Sequence, residues 1–242
     1  LTPPASGERV PTHATIEGVL QIRAVLFDLD GTLLDRRETF RRHLGRQIGR
    51  FGDLFGGRST AEQVERMVAL DRNGETPRPQ FYEQVEADLG LPGGAAARLH
   101  DDFEAHFPET CVATSNAHRT LDRLRSAGLT LGLITNGRVL MQDRKIDRLD
   151  VRRFFDVILI SEAVGIRKPD PRIFAAALDA LGGIAPAAAA YVGDNPEPDV
   201  GGARRSGLVA IWKRDAFWPE PADADWTIDD LAELPLLVAA AR

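Results

Sequence analysis

"AVLFDLDGTLLD", Ala24 to Asp35, decides the reading of this chain. Ala24, Val25, Leu26 and Phe27 have no polar face, the pattern of a strand covered on both sides in the middle of a parallel sheet. The run ends in Asp28, Leu29, Asp30, Gly31 and Thr32. A carboxylate at the end of an apolar strand is costly to bury, and a second one two residues on adds repulsion. The stretch therefore asks what offsets that charge.

Beyond Asp35 the texture turns helical. Phe40, Leu44, Ile48 and Phe51 recur at helical spacing. "STAE" (Ser59 to Glu62) has the form of a capping box, with Val64, Met67 and Val68 behind it. Phe81, Val85 and Leu89 make a further stripe closed by Gly90, and Leu99, Phe103 and Phe107 another. Residues 36–112 thus read as an all-helical block.

From residue 113 helices alternate with strands: "LTLGLIT" (Leu129 to Thr135), "DVILIS" (Asp156 to Ser161), "AAAYVGD" (Ala188 to Asp194) and "GLVAIW" (Gly207 to Trp212). That alternation predicts βαβ units and an α/β fold, a parallel sheet covered on both faces. The predicted core is residues 23–35 and 113–242, with the helical block inserted. Residues 1–22 read as a flexible tail without the charged start and apolar stretch of a secretory signal.

Composition bounds the partners. The 242 residues include 43% hydrophobic and 27% charged residues, enough for a substantial buried core. A net charge of −6 argues against a nucleic-acid or anionic-membrane partner. The one cysteine, Cys111, excludes an intrachain disulfide framework and fits a reducing, cytoplasmic compartment. No apolar run approaches the ~20 residues of a membrane span. Nothing in the sequence selects between a monomer and a homodimer.

In open α/β sheets chemistry gathers beyond the carboxyl ends of the strands. Here those ends carry Asp28 and Asp30, then Thr135 and Asn136, then Lys168 in "GIRKPDPRIF", then Asp194 and Asp199 in "GDNPEPD". Each alone has an ordinary explanation as a turn, a cap or a loop. Together, at successive strand ends, they call for a hard divalent cation such as Mg²⁺, which takes oxygen ligands and offsets clustered carboxylates. Asp28 and Asp194 are the expected direct ligands.

In this order and spacing, "DLDGT", "TN", the Lys-Pro pair and "GDNPEPD" resemble the four signature motifs of the haloacid dehalogenase (HAD) superfamily. The resemblance implies a Rossmann-like three-layer core, with the helical block as a cap of the type called C1. It implies Mg²⁺-dependent hydrolysis of a small phosphate monoester through an aspartyl-phosphate. Asp28 would attack phosphorus, and Asp30 would protonate the leaving oxygen and later activate water. The Asp30 carbonyl would join Asp28 and Asp194 on the metal. Thr135 and Asn136 would hold phosphoryl oxygens at a helix N-terminus, and Lys168 would offset negative charge. Asp199 would sit in the outer shell, through water or on Lys168, and Thr32 would orient the nucleophile.

Carbon–halogen cleavage in the superfamily lacks the second aspartate, and Asp30 is present. Phosphonate cleavage needs a cap lysine, and residues 36–112 contain none. A phosphosugar mutase and a non-catalytic module that keeps the fold are the alternatives. The substrate would be a small phosphorylated metabolite: phosphoglycolate, a sugar phosphate or a nucleotide.

Arg36, Arg37, Arg41 and Arg42 read mostly as the solvated face of the first cap helix. Asp71, Asn73 and Arg78 lie in an interhelix loop, "DRNGETPRPQF". His43, His100 and His118 read as surface residues, and His106 as partly buried. "FWPEPADADW" (Phe217 to Trp226) reads as a loop packing aromatics under a final helix that Pro235 interrupts, with Trp218 a candidate for a partner surface.

Overall fold

The computed structural model describes residues 21–56, 59–221 and 223–240. Residues 1–20 of the expected tail lie outside the described residues. Ile22, counted with the tail, is 1% exposed in the core, because it is apolar and lies two residues before the first strand.

The chain runs β1 (Ala24–Phe27), α1 (Arg36–Arg50), α2 (Gly52–Phe55), α3 (Thr60–Asp71), α4 (Arg78–Leu89), α5 (Ala95–His106) and α6 (Ala117–Ser126). It continues through β2 (Thr130–Thr135), α7 (Val139–Arg148), β3 (Val157–Ile160), α8 (Ser161–Val164), α9 (Pro171–Ala180) and β4 (Ala189–Gly193). After a π-helical turn at Pro196–Gly201 come α10 (Gly202–Arg205), β5 (Val209–Lys213), β6 (Trp226–Ile228) and α11 (Leu234–Ala240).

All six strands are parallel in the order β3-β2-β1-β4-β5-β6. That is the doubly wound Rossmann order, whose crevice opens where the strand order reverses, between β1 and β4. Successive β1 residues point to opposite faces, as strand geometry requires. Val25 and Phe27 pack with Leu121 and Leu124 of α6 and Ile146 of α7. Ala24 and Leu26 pack with Ile173, Phe174 and Ala177 of α9. This gives three layers.

The inserted helices carry an apolar cluster of their own, centred on Phe40, Leu44, Met67, Phe81, Val85, Leu99 and Phe103. Asp35 caps α1, its carboxylate accepting from the Glu38 N–H at 3.0 Å. The chain leaves for this block and returns from it side by side: Asp35 N–H donates to Val112 C=O at 2.9 Å, and Thr114 N–H to Leu33 C=O at 2.8 Å. No helix among the described residues is long and apolar enough to cross a membrane.

Four local expectations change. Ser59 stands at the N-cap of α3 but its side chain accepts no capping bond, so no capping box forms. Pro235 occupies the first turn of α11, where its missing N–H costs nothing, and so opens the helix rather than interrupting it. Trp226 begins a sixth strand where an aromatic loop was expected. His43 is fully buried, because three residues beyond Phe40 it faces the same side of α1.

His43 carries a consequence for stability. Its ring meets Phe103 at 5.2 Å and Phe107 at 5.5 Å, and neither ring nitrogen has a hydrogen-bond partner. Burial pushes its pKa down to about 3. The unfolded chain thus binds a proton below the ordinary histidine value of 6.5 that the folded chain refuses, and stability falls as pH drops from there toward 3. Between pH 7 and pH 5 the loss comes to about 2 kcal/mol. Urea unfolding at both pH values checks it: His43→Leu should show a shallower decline, and an equal decline in both proteins would contradict it.

Candidate active site

The switch point between β1 and β4 brings together residues far apart in sequence. Asp28 follows β1, Asp194 follows β4, and Asp199 lies in the π-helical turn after β4. Each offers a carboxylate oxygen within 4.8 Å of the others, and all three are buried. Lys168, in the loop between α8 and α9, is inserted among them. Its Nζ donates to Asp28 Oδ1 at 2.6 Å, Asp199 Oδ1 at 2.6 Å and the Tyr191 hydroxyl at 2.7 Å, using all three ammonium protons.

The charges do not balance. Three buried carboxylates face one ammonium. Burial, against the pull of Lys168 and with the push of Asp199 and Asp30, raises the Asp28 carboxyl to about 7. Burial and the neighbouring Asp199 and Asp28 raise Asp194 well above the usual carboxylate range. Burial works to lower Lys168, but Asp199 and Asp28 outweigh it and hold the ammonium charged. A donor set of clustered carboxylate oxygens short of two positive charges fits a divalent, oxygen-seeking cation.

The framework around this cluster is tight. Gly31 has φ +92°, and a Cβ there would lie 2.5 Å from the Asp194 carboxylate, so only glycine allows both the turn and the approach. Trp212 Nε1 donates to the Asp194 carbonyl at 2.7 Å and Trp218 Nε1 to its carboxylate at 3.2 Å. Trp218 is therefore turned into the cleft rather than toward a partner surface. Its loop also reaches the inserted helices, where Arg37 pairs with Asp215 at 3.2 Å.

Thr135 ends β2 and Asn136 follows it, three residues ahead of α7 rather than at the helix start. The Asn136 side chain clamps the Lys168 backbone in both directions, donating to its carbonyl at 3.0 Å and accepting from its N–H at 2.9 Å. The Thr135 hydroxyl accepts from Gln142 Nε2 at 2.5 Å. Asp199 binds Lys168 directly, the second of its two expected arrangements. Thr32 does not orient Asp28, because its buried hydroxyl has no hydrogen-bond partner.

Asp30 has partners that the sequence reading missed. Lys145 Nζ lies 2.8 Å from its Oδ1, and Gln142 Nε2 donates to its Oδ2 at 2.9 Å. Burial alone would raise this carboxyl, but Lys145 and Gln142 outweigh it and hold it below the usual value. The two sit three residues apart on α7, one helical face. That spacing was visible, but nothing local tied it to Asp30.

Above these residues opens a cleft of about 320 Å³, roofed by the inserted helices through Arg36, Asn73, Gly74, Arg78, Phe103 and Phe107. Arg36 and Arg78 are mostly covered, and both pair with the fully buried Asp71. Arg36 therefore does not belong to a solvated helix face, and Asp71 and Arg78 are more than an interhelix turn.

The sequence profile of the haloacid dehalogenase-like hydrolases matches residues 22–207. A phosphoserine phosphatase of Thermus thermophilus is 35% identical over 249 residues, covering 90% of this chain and all of that one. A glyceraldehyde 3-phosphate phosphatase of Methanopyrus kandleri is 32% identical, covering 78% of this chain and 83% of its own. Among solved structures, the HAD-hydrolase YfnB of Bacillus subtilis, bound to magnesium, superposes with a TM-score of 0.74 at 20% identity. It covers 90% of this chain and 99% of that one.

Proposed function

Because this chain belongs to the haloacid dehalogenase-like hydrolases, and is a phosphoric monoester hydrolase, we propose that it cleaves a small phosphorylated metabolite in a Mg²⁺-dependent reaction with Asp28 as nucleophile. The observation that carries the reading is the meeting of Asp28, Asp194 and Asp199 around Lys168 at the switch point, two positive charges short.

The contacts support the following chemistry. Lys168 fixes Asp28 Oδ1, leaving the other oxygen to attack phosphorus. The ester oxygen departs with a proton from Asp30, and Asp28 carries the phosphoryl group. Water then attacks that phosphorus, Asp30 takes its proton, phosphate leaves and Asp28 is free again. Lys145 and Gln142 favour the ionised form of Asp30, the form needed for the second half. Arrival of an anionic ester beside it raises its proton affinity and supports the first half.

Asp28, Asp194 and the Asp30 carbonyl would hold Mg²⁺, with Asp199 kept by Lys168. When bound, the ion would offset the charge shared by the phosphoryl group and its attacker. Thr135 and Asn136 would receive phosphoryl oxygens, a role supported by their both lining the cleft. A cytoplasmic setting, where the buried and unpaired Cys111 would stay reduced, is part of the proposal.

Phosphate release from a panel of small monoesters, without any sugar co-substrate, tests this reading. Activity should appear with Mg²⁺, fall at least ~100-fold on chelation and return on re-addition, as expected when the metal supplies several kcal/mol of charge stabilisation. Turnover indifferent to chelation would refute the metal assignment.

A further inference from the structure

We propose that Arg36 and Arg78, held by Asp71, recognise a second negative charge on the substrate, so that the preferred esters carry a carboxylate or a second phosphate on the leaving group. The inference rests on the phosphatase reading above and adds to it the class of substrate.

Both guanidiniums line the same cleft as Asp28 and Asp194. Arg36 is close enough to Asp30 that its charge helps lower that carboxyl. The cleft thus has the phosphoryl machinery on one wall and this pair on the other.

The pair is under-neutralised. Arg36 Nη1 donates to Asp71 Oδ2 at 2.8 Å, while Arg78 Nη1 lies 2.8 Å from Asp71 Oδ1 without hydrogen-bond geometry. One carboxylate between two guanidiniums leaves one positive charge over, beside a cavity. Guanidinium forks suit planar or tetrahedral oxyanions, which they grip with two parallel N–H bonds.

The arrangement is also held rigid at a cost to the fold. Arg36 is the first residue of α1, Arg78 the first of α4, and Asp71 the last of α3. Each stands at the helix end whose dipole opposes its charge. A purely structural ion pair would gain from the opposite placement. The Arg78 guanidinium lies over the rings of Phe40, Phe81 and Phe103, at 5.1, 5.2 and 4.7 Å. Gly74, at φ +89°, packs so closely on Arg36 that a Cβ there would stand 2.9 Å from Cζ. Asn73 and Arg72 before it also adopt positive φ, a sparsely populated conformation that brings this loop to the cleft.

Matched esters test the inference in the intact protein with Mg²⁺. One pair is O-phospho-L-serine against O-phosphoethanolamine, which differ by the carboxylate. The other is propane-1,3-diol bisphosphate against its monophosphate. At least one charged member should exceed its partner tenfold or more in kcat/KM, and which pair responds says which anion is read. Arg36→Gln should cut that preference tenfold or more, mainly through KM, and Arg36→Lys should keep part of it.

Equal treatment of both pairs by the unaltered protein would overturn the inference without needing any variant. So would an Arg36→Gln loss shared equally by charged and uncharged esters. Hydrolysis of p-nitrophenyl phosphate with no preference sinks this inference alone. Failure to hydrolyse any ester sinks the phosphatase reading with it.

Discussion

Asp28→Asn should abolish phosphate release, by ~10⁴-fold or more, the scale on which losing a covalent nucleophile acts. The same change should make the metal-free protein more stable. An Asp28 carboxyl raised to about 7 binds its proton more tightly folded than unfolded. The fold is therefore penalised above the unfolded value of 3.8, increasingly until about pH 7, and the penalty is relieved as pH falls back. At pH 8 it amounts to at most about 4 kcal/mol, part of which the amide recovers. Phosphate release and thermal unfolding in chelator at pH 8 read both effects. A purely structural aspartate would instead lower stability when replaced, so surviving turnover or a falling melting temperature would each contradict the assignment.

Lys168→Met should do the reverse to the fold. It removes the one cation among three buried carboxylates and one of the hydrogen bonds of the Tyr191 hydroxyl, which still donates to the Ile134 carbonyl at 3.1 Å. Breaking a buried pair from one side costs about 3–5 kcal/mol, because the remaining charge has nowhere to go. Turnover should vanish as well, since Asp28 loses the contact that fixes it. Mg²⁺ should restore part of the lost stability, because a cation binding only the folded form shifts the equilibrium its way. Urea titrations with and without Mg²⁺ measure this. Stability independent of the ion would separate Lys168 from the metal-binding carboxylates.

The two variants thus move stability in opposite directions from side chains 2.6 Å apart. That pattern identifies a surplus of negative charge, not generic loss of packing.

What the sequence displayed of this arrangement was local. β1 is apolar on both faces and ends in acids, which sets both its place in the sheet and its role at the crevice. β4 repeats the pattern with Asp194 beyond its end, and the fold brings Asp28, Lys168, Asp194 and Asp199 together. What it hid was pairing over distance. Lys145 meets Asp30 across 115 residues, and Arg36 meets Asp71 across 35, with no spacing rule to join them. Charge type misled at His43 and Arg36, where helix phase and neighbouring rings decide burial. β6, three residues long, is too short for period-two alternation to register.

Leu33–Asp35 and Val112–Thr114 are joined by backbone hydrogen bonds at the foot of the helical block. The sheet's own chain is consequently already closed there, whatever is threaded between those two points. Changing what is threaded there leaves this closure in place, and the loop-closure part of the cost for a flexible segment is only about 0.6 kcal/mol for each doubling. The strand ends that carry the acids are thereby held by a chain path separate from the helical block proposed to read the leaving group. Selection can exchange one without rebuilding the other.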